Sequence, residues 1–182
     1  MNRYLMLGVL GFFLLAGCTA RRGGEAEGPS GPARSQGVSN ASLLEPLLLA
    51  EMPGNARSIA EVKATISPGE EVVLIGTVPP DCVVPFSDSR AAVILMDASD
   101  LESEAVKAEF SCPDAATCPA CRKVLDELGV RVELVGPAGN APIKTTLQGF
   151  KGLKAGSTIV VRGKVAKDGK THVIRATGIY VS

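Results

Sequence analysis

Leu153-Lys154-Ala155-Gly156-Ser157-Thr158-Ile159-Val160-Val161-Arg162-Gly163-Lys164-Val165 is the stretch that decides the fold. Its β-branched run predicts a strand from Ile159 to Val165. Gly163 inside that run predicts a bend, because a glycine in a strand marks a bulge or a close backbone approach. Asp168-Gly169 follows, and Asp-Gly between apolar runs is among the strongest hairpin signals. Val173 to Val181 is then the returning strand.

Further strands lie upstream. Val72-Val73-Leu74-Ile75 follows the Pro68-Gly69 turn and ends at Gly76. Ala91 to Met96 is closed by Asp97. Val130, Val132 and Leu134 alternate with Arg131 and Glu133, the period of a half-buried strand. Ile143 to Leu147 reads as a shorter one, and Gly136-Pro137-Ala138-Gly139-Asn140 as the turn before it. Two helices interrupt the series. Leu101 to Phe110 is the first, with Asp97 and Ser99 expected to cap it. Pro119 to Leu128 is the second, opened by proline and closed by Gly129. The expected class is all-β with small helices.

Gly76-Thr77, Ala92–Asp97 and the closing stretch Leu153–Val165 resemble an OB-fold. The resemblance implies a five-stranded barrel over residues 56–182, with a helical, cysteine-rich insertion at 98–129 between the second and third strands. OB-folds often bind nucleic acid, yet a single-strand binder needs a positive groove and stacking aromatics. Here 19 basic side chains meet 19 acidic ones, aromatics are 4% of the chain and Trp is absent. No nucleic-acid partner is expected.

The other end of the chain speaks to location. An apolar run, Leu5–Leu15, follows Arg3 and ends at Leu15-Ala16-Gly17-Cys18. It is about half the roughly 20 residues that span a bilayer, and its layout is that of a cleaved signal. The junction resembles a bacterial lipobox. That resemblance implies a signal peptide over 1–18, lipid attachment with palmitate at Cys18, and a place in the cell envelope, lipid-anchored on the extracytoplasmic side. Thr19 in place of Asp resembles outer-membrane cargo, where the cell has such a membrane. Residues 19–41 carry Gly, Pro, Ser, Arg and Glu with almost no large apolar side chain, the composition of a disordered tether. A short apolar segment, 42–55, holds Leu43, Leu44, Leu47, Leu48 and Leu49, with Pro46 suited to the start of a short helix that docks on the main domain. The whole chain also resembles envelope lipoproteins of planctomycete type, which pair such a domain with a cysteine-rich insert. That resemblance implies no particular activity.

Besides Cys18, the five cysteines include Cys82, Cys112, Cys118 and Cys121. Three readings stand open for these four. An even number in an exported domain favours disulfides. A Cys82–Cys112 bridge, for instance, closes a loop of about 30 residues and is worth roughly 3 kcal/mol in the chain-entropy model. Alternatively, Cys112-x5-Cys118-x2-Cys121 with Cys82 offers thiolates for zinc or Cu(I). The third reading is thiol redox chemistry at Cys118 and Cys121. Cys118-Pro119-Ala120-Cys121 at the start of the second helix, with the residues that follow to Val130, resembles the active-site segment of glutaredoxins. That likeness implies a Cys118 thiolate favoured by helix N-terminal N–H groups.

His172 is the lone histidine, placed in the last strand, and no nucleophile is paired with it. Ser-His-Asp and Cys-His catalysis are therefore unsupported. Asp97, Asp100, Glu102 and Glu104 cluster without EF-hand spacing. The expected function is a non-enzymatic binding or scaffold module with an envelope partner or small ligand. The alternative is thiol-disulfide exchange or metal handling through Cys118 and Cys121.

Overall fold

A computed structural model describes residues 40–138, 141–168 and 171–182. The signal peptide, Cys18 and nearly all of the tether lie outside the described residues, as do Gly139, Asn140 and Gly169 of the two expected turns. Five strands form one mixed sheet: β1 (Glu71–Thr77), β2 (Ala92–Leu95), β3 (Val130–Leu134), β4 (Thr158–Asp168) and β5 (Thr171–Val181). They are ordered β1-β4-β5-β3-β2. All neighbours are antiparallel except β3 and β5, which run parallel.

The hairpin expected from Asp168-Gly169 is formed, with Asp168 opposite Thr171 at its mouth. Its register shifts between Arg162 and Gly163. A Cβ on Gly163 would lie 2.3 Å from the Arg175 carbonyl oxygen and 2.6 Å from Ala176 Cα. The glycine therefore permits the strand crossing at the bulge, as the sequence suggested. The two edge strands touch at a single bridge. Thr77 donates to the Met96 carbonyl at 2.8 Å, and Met96 donates back at 3.0 Å. The expected five-stranded barrel is thus an open sheet whose edges meet at one point, because β2 is too short to carry a ladder along β1.

Helices fill the spaces around the sheet. α1 (Asn40–Leu44) leads into a 3-10 turn, Glu45–Leu47, with Pro46 in its first turn. Leu44 and Leu47 are buried, and Leu49 N–H donates to the Ile179 carbonyl at 2.8 Å. A side chain on Gly178 would strike Leu49 Cδ2 at 2.9 Å. The apolar segment therefore docks on β5, as expected.

Ile59–Thr65 is a helix, α2, in a stretch to which the sequence pattern assigned no element. Its signal was present as Ser58-x-x-Glu61, a capping box in which each side chain accepts the other residue's backbone N–H. Asp97 adds a second cap. It stands at the N-terminus of α3 (Ala98–Glu102), but its carboxylate does not cap that helix. Instead Oδ1 accepts from Ile59 N–H at 2.8 Å and Oδ2 from Ala60 N–H at 2.9 Å. This bond ties the end of β2 to the start of α2. Asp97→Ala is expected to lower stability by about 1 kcal/mol, the ordinary cost of a lost cap, measured by urea unfolding at pH 7.

The expected helix Leu101–Phe110 is split at Ser103, whose hydroxyl caps α4 (Glu104–Phe110) by accepting Val106 N–H at 3.3 Å. α5 (Pro119–Leu128) has the expected bounds. Ile143–Leu147 is not a strand. Pro142 makes one bridge to Val135, and Ile143 then bonds across to Leu134 and Ala91. Proline has no N–H for a ladder, and the segment stays a loop.

Two apolar clusters result. The larger holds Leu74, Leu95, Val132, Ile159, Val161 and Ile174, together with the helix residues Ile59 and Val62. The smaller joins Val106, Phe110, Ala115 and Cys121 of the insertion to Val83 and Met96 outside it. No described helix is long and apolar enough to cross a membrane.

Candidate metal centre

The cysteines of the insertion belong to this second cluster. α4 ends at Phe110 and the chain turns through Cys112 to Thr117. The N–H groups of Thr117 and Cys118 return to the Asp114 carbonyl at 3.2 and 3.0 Å. That turn delivers Cys118 to the N-cap position of α5. Pro119 opens the helix with the φ that proline fixes, and Cys121 follows within the first turn.

The three sulfurs of Cys112, Cys118 and Cys121 all lie within 4.8 Å of one another. Cys112 Sγ and Cys118 Sγ are 3.5 Å apart. Cys121 is fully buried and donates its S–H to the Glu109 carbonyl at 3.0 Å. Cys112 and Cys118 are half-buried.

Electrostatics separates the three thiols. Cys118 is held below the ordinary thiol range, chiefly by the Cys121 backbone N–H, then by the thiols of Cys112 and Cys121. The Ala120 N–H adds to this, as expected of a sulfur at a helix start. Cys112 is pushed up, first because it shares a hydrogen bond with Cys118. Burial is the leading cause that pushes Cys121 up to about 12. The arrangement is one thiolate-favoured sulfur, Cys118, in contact with the Cys112 thiol at 3.5 Å, beside Cys121, whose S–H goes to the Glu109 carbonyl.

Cys82 was expected to converge with the others. It sits instead in the 3-10 turn Asp81–Val83, exposed, donating to the Phe110 carbonyl at 3.5 Å. It lies outside the three-sulfur group and lines a separate cavity of about 670 Å³ with Val78, Leu101 and Phe110. The expected disulfide framework is not formed, since all four described cysteines are free thiols. The 3.5 Å contact between Cys112 and Cys118 is well beyond a bonded S–S distance of about 2.05 Å.

The acidic cluster is dispersed. Asp97 caps α2 and Glu104 pairs with Lys107 at 2.9 Å. His172 is half-buried in β5 opposite Lys167. Sequence reasoning missed the Glu109 and Phe110 carbonyls at the end of α4, which receive two of the thiols. It also missed Lys63 of α2, whose ammonium donates to the Gly129 carbonyl at 3.1 Å and caps the C-terminus of α5. No residue pattern announces either contact, because both depend on how elements far apart in the chain pack.

The three-sulfur group fits a thiophilic cation. A tetrahedral centre with Zn–S bonds of about 2.3 Å sets its sulfurs roughly 3.8 Å apart. The Cys112–Cys118 separation of 3.5 Å is close to that value, and no pair of the three sulfurs is more than 4.8 Å apart.

No protein-family model and no curated protein matches the chain. Among solved structures, it is similar to one described as the hypothetical protein ygiW from E. coli. The two share 16% identity, with 71% of this chain and 91% of that chain covered at a TM-score of 0.36. A likeness of that degree carries no argument about this chain.

Proposed function

We propose that the protein is a metal-handling module of the cell envelope, lipid-anchored through Cys18, in which Cys112, Cys118 and Cys121 hold a thiophilic cation, Zn(II) or Cu(I). The observation that carries this reading is the grouping of three sulfurs within 4.8 Å of one another. Thiolates are the donors that select such ions. Three protein ligands rather than four suit an exchangeable ion, since closed structural zinc sites take four. The module is a carrier or sensor of the ion, and no catalytic step is assigned to it.

The supporting scaffold is an OB-type barrel in this reading. Its strand order, its lone parallel pair β3–β5 and its edges meeting at Thr77–Met96 agree with a partly open five-stranded barrel. The insertion hangs between β2 and β3 and carries the cation site at one end of the sheet.

Zinc titration of the full chain, followed by native mass and by a chromophoric competitor, tests the reading. One ion per chain is expected. Affinity is expected to fall as pH falls from 8 to 6, because Cys112 and Cys121 are both raised above the ordinary thiol range and must lose protons to bind. A chain that takes up no ion at any pH in that range, with all thiols reduced, rules the reading out. The anchor has its own test: radiolabelled palmitate incorporation is expected in the wild type and lost in Cys18→Ser.

A second reading, thiol-disulfide exchange with Cys118 as nucleophile, is favoured by that sulfur's place at the start of α5. It predicts rapid alkylation of Cys118 near pH 6 in the metal-free chain. A plain scaffold role would need none of this sulfur geometry.

A further inference from the structure

The Cys118-x-x-Cys121 spacing suggests that these two cysteines form the oxidisable pair. The packing around them points elsewhere. Cys121 is fully buried, and its S–H is committed to the Glu109 carbonyl at 3.0 Å. An oxidant in solution has no path to it. Cys112 and Cys118 are both partly exposed, and their sulfurs are already in contact at 3.5 Å. A bond between them needs an approach of about 1.5 Å, to the usual S–S distance of about 2.05 Å. Cys112 lies in the turn rather than in a helix, so side-chain rotation and a small loop shift supply that movement.

We propose that Cys112 and Cys118 are a redox modification site, closing to a disulfide on reaction with a small-molecule disulfide and so dismantling the three-sulfur centre. The metal reading underlies the second half of this statement, while the choice of pair is independent of it. The Cys118 thiolate attacks one sulfur of the external disulfide, breaking its S–S bond and expelling one thiolate. Cys112 gives up its proton and attacks Cys118 Sγ, breaking the mixed disulfide and expelling the second thiolate. Two cysteine thiols are oxidised by two electrons, and the external disulfide is reduced to two thiols that take up the two protons. Cys121 remains reduced. A single buried thiol does not retain an ion that three sulfurs held, so oxidation releases it, and reduction restores the site.

The experiment uses the full chain, zinc-loaded, exposed to glutathione disulfide, quenched with alkylating reagent and mapped by peptide mass. The expected product is a Cys112–Cys118 disulfide, with Cys121 alkylated only after unfolding and zinc appearing in solution in step with the bond. Cys112→Ser is expected to stop at a mixed disulfide on Cys118, and Cys121→Ser to close the Cys112–Cys118 bond as the wild type does. A Cys118–Cys121 bond, a bond to Cys82, or resistance of Cys112 and Cys118 to oxidation would each overturn the proposal. The same map on metal-free chain separates the two claims. If zinc never binds but the Cys112–Cys118 bond forms, the metal reading fails and the redox pair stands.

Discussion

Cys121→Ser is expected to weaken zinc binding by more than about a hundredfold while leaving the fold intact. Changes to groups that only orient a ligand cost about 10–100-fold, and this change removes a ligand sulfur itself. Serine is the substitution to use because it spares the surroundings. Its hydroxyl can still donate to the Glu109 carbonyl that now receives the Cys121 thiol at 3.0 Å. It leaves the packing of Val106, Phe110 and Ala115 nearly unchanged, since oxygen is smaller than sulfur. A buried group left without a partner would cost about 1–3 kcal/mol, and here none is created. The metal-free variant should therefore melt close to the wild type, and competition titration should show the lost affinity. Unchanged affinity would mean that Cys121 is a core residue and no ligand.

The second large effect is on stability. Gly163→Val is expected to cost about 3 kcal/mol, the upper part of the range for overpacking. The added Cβ meets main-chain atoms, the Arg175 carbonyl oxygen at 2.3 Å and Ala176 Cα at 2.6 Å, which cannot swing aside as a side-chain tip can. Those atoms belong to β5, so relief requires separating the central hairpin at its bulge. For a chain of this size the loss corresponds to a fall in Tm of roughly 10 °C. Gly136→Ala is the matched control, since a Cβ there meets nothing within 4 Å. A Gly163→Val chain that melts with the wild type would contradict the bulge geometry.

The same glycine shows why much of the sheet was legible. Gly163 in a β-branched run, with Asp168-Gly169 beyond it, could hardly serve any structure but a bent strand entering a hairpin. The alternation around Arg131 and Glu133 was equally plain, and β3 has the bounds that pattern implies. α5 was legible because proline and glycine mark both of its ends. What escaped was local structure decided by tertiary partners. Ile59–Thr65 is short for a helix on propensity alone, and it is held by Asp97, distant in sequence, as well as by its own capping box. Ile143–Leu147 has strand composition, yet Pro142 withholds the donor with which a ladder would begin. The site was half legible. Spacing offered Cys112, Cys118 and Cys121 together with Cys82 as a thiolate set in one of three open readings, and the structure groups only the first three. That sulfur is carried by a turn whose placement depends on how the Pro79–Phe86 loop meets α4, which no residue pattern encodes.

X-ray absorption at the zinc edge of the full, reduced, zinc-loaded chain tests the central claim most directly. Sulfur scatterers at about 2.3 Å, three per zinc, are the predicted result. A first shell of oxygen and nitrogen, or one sulfur only, would contradict it.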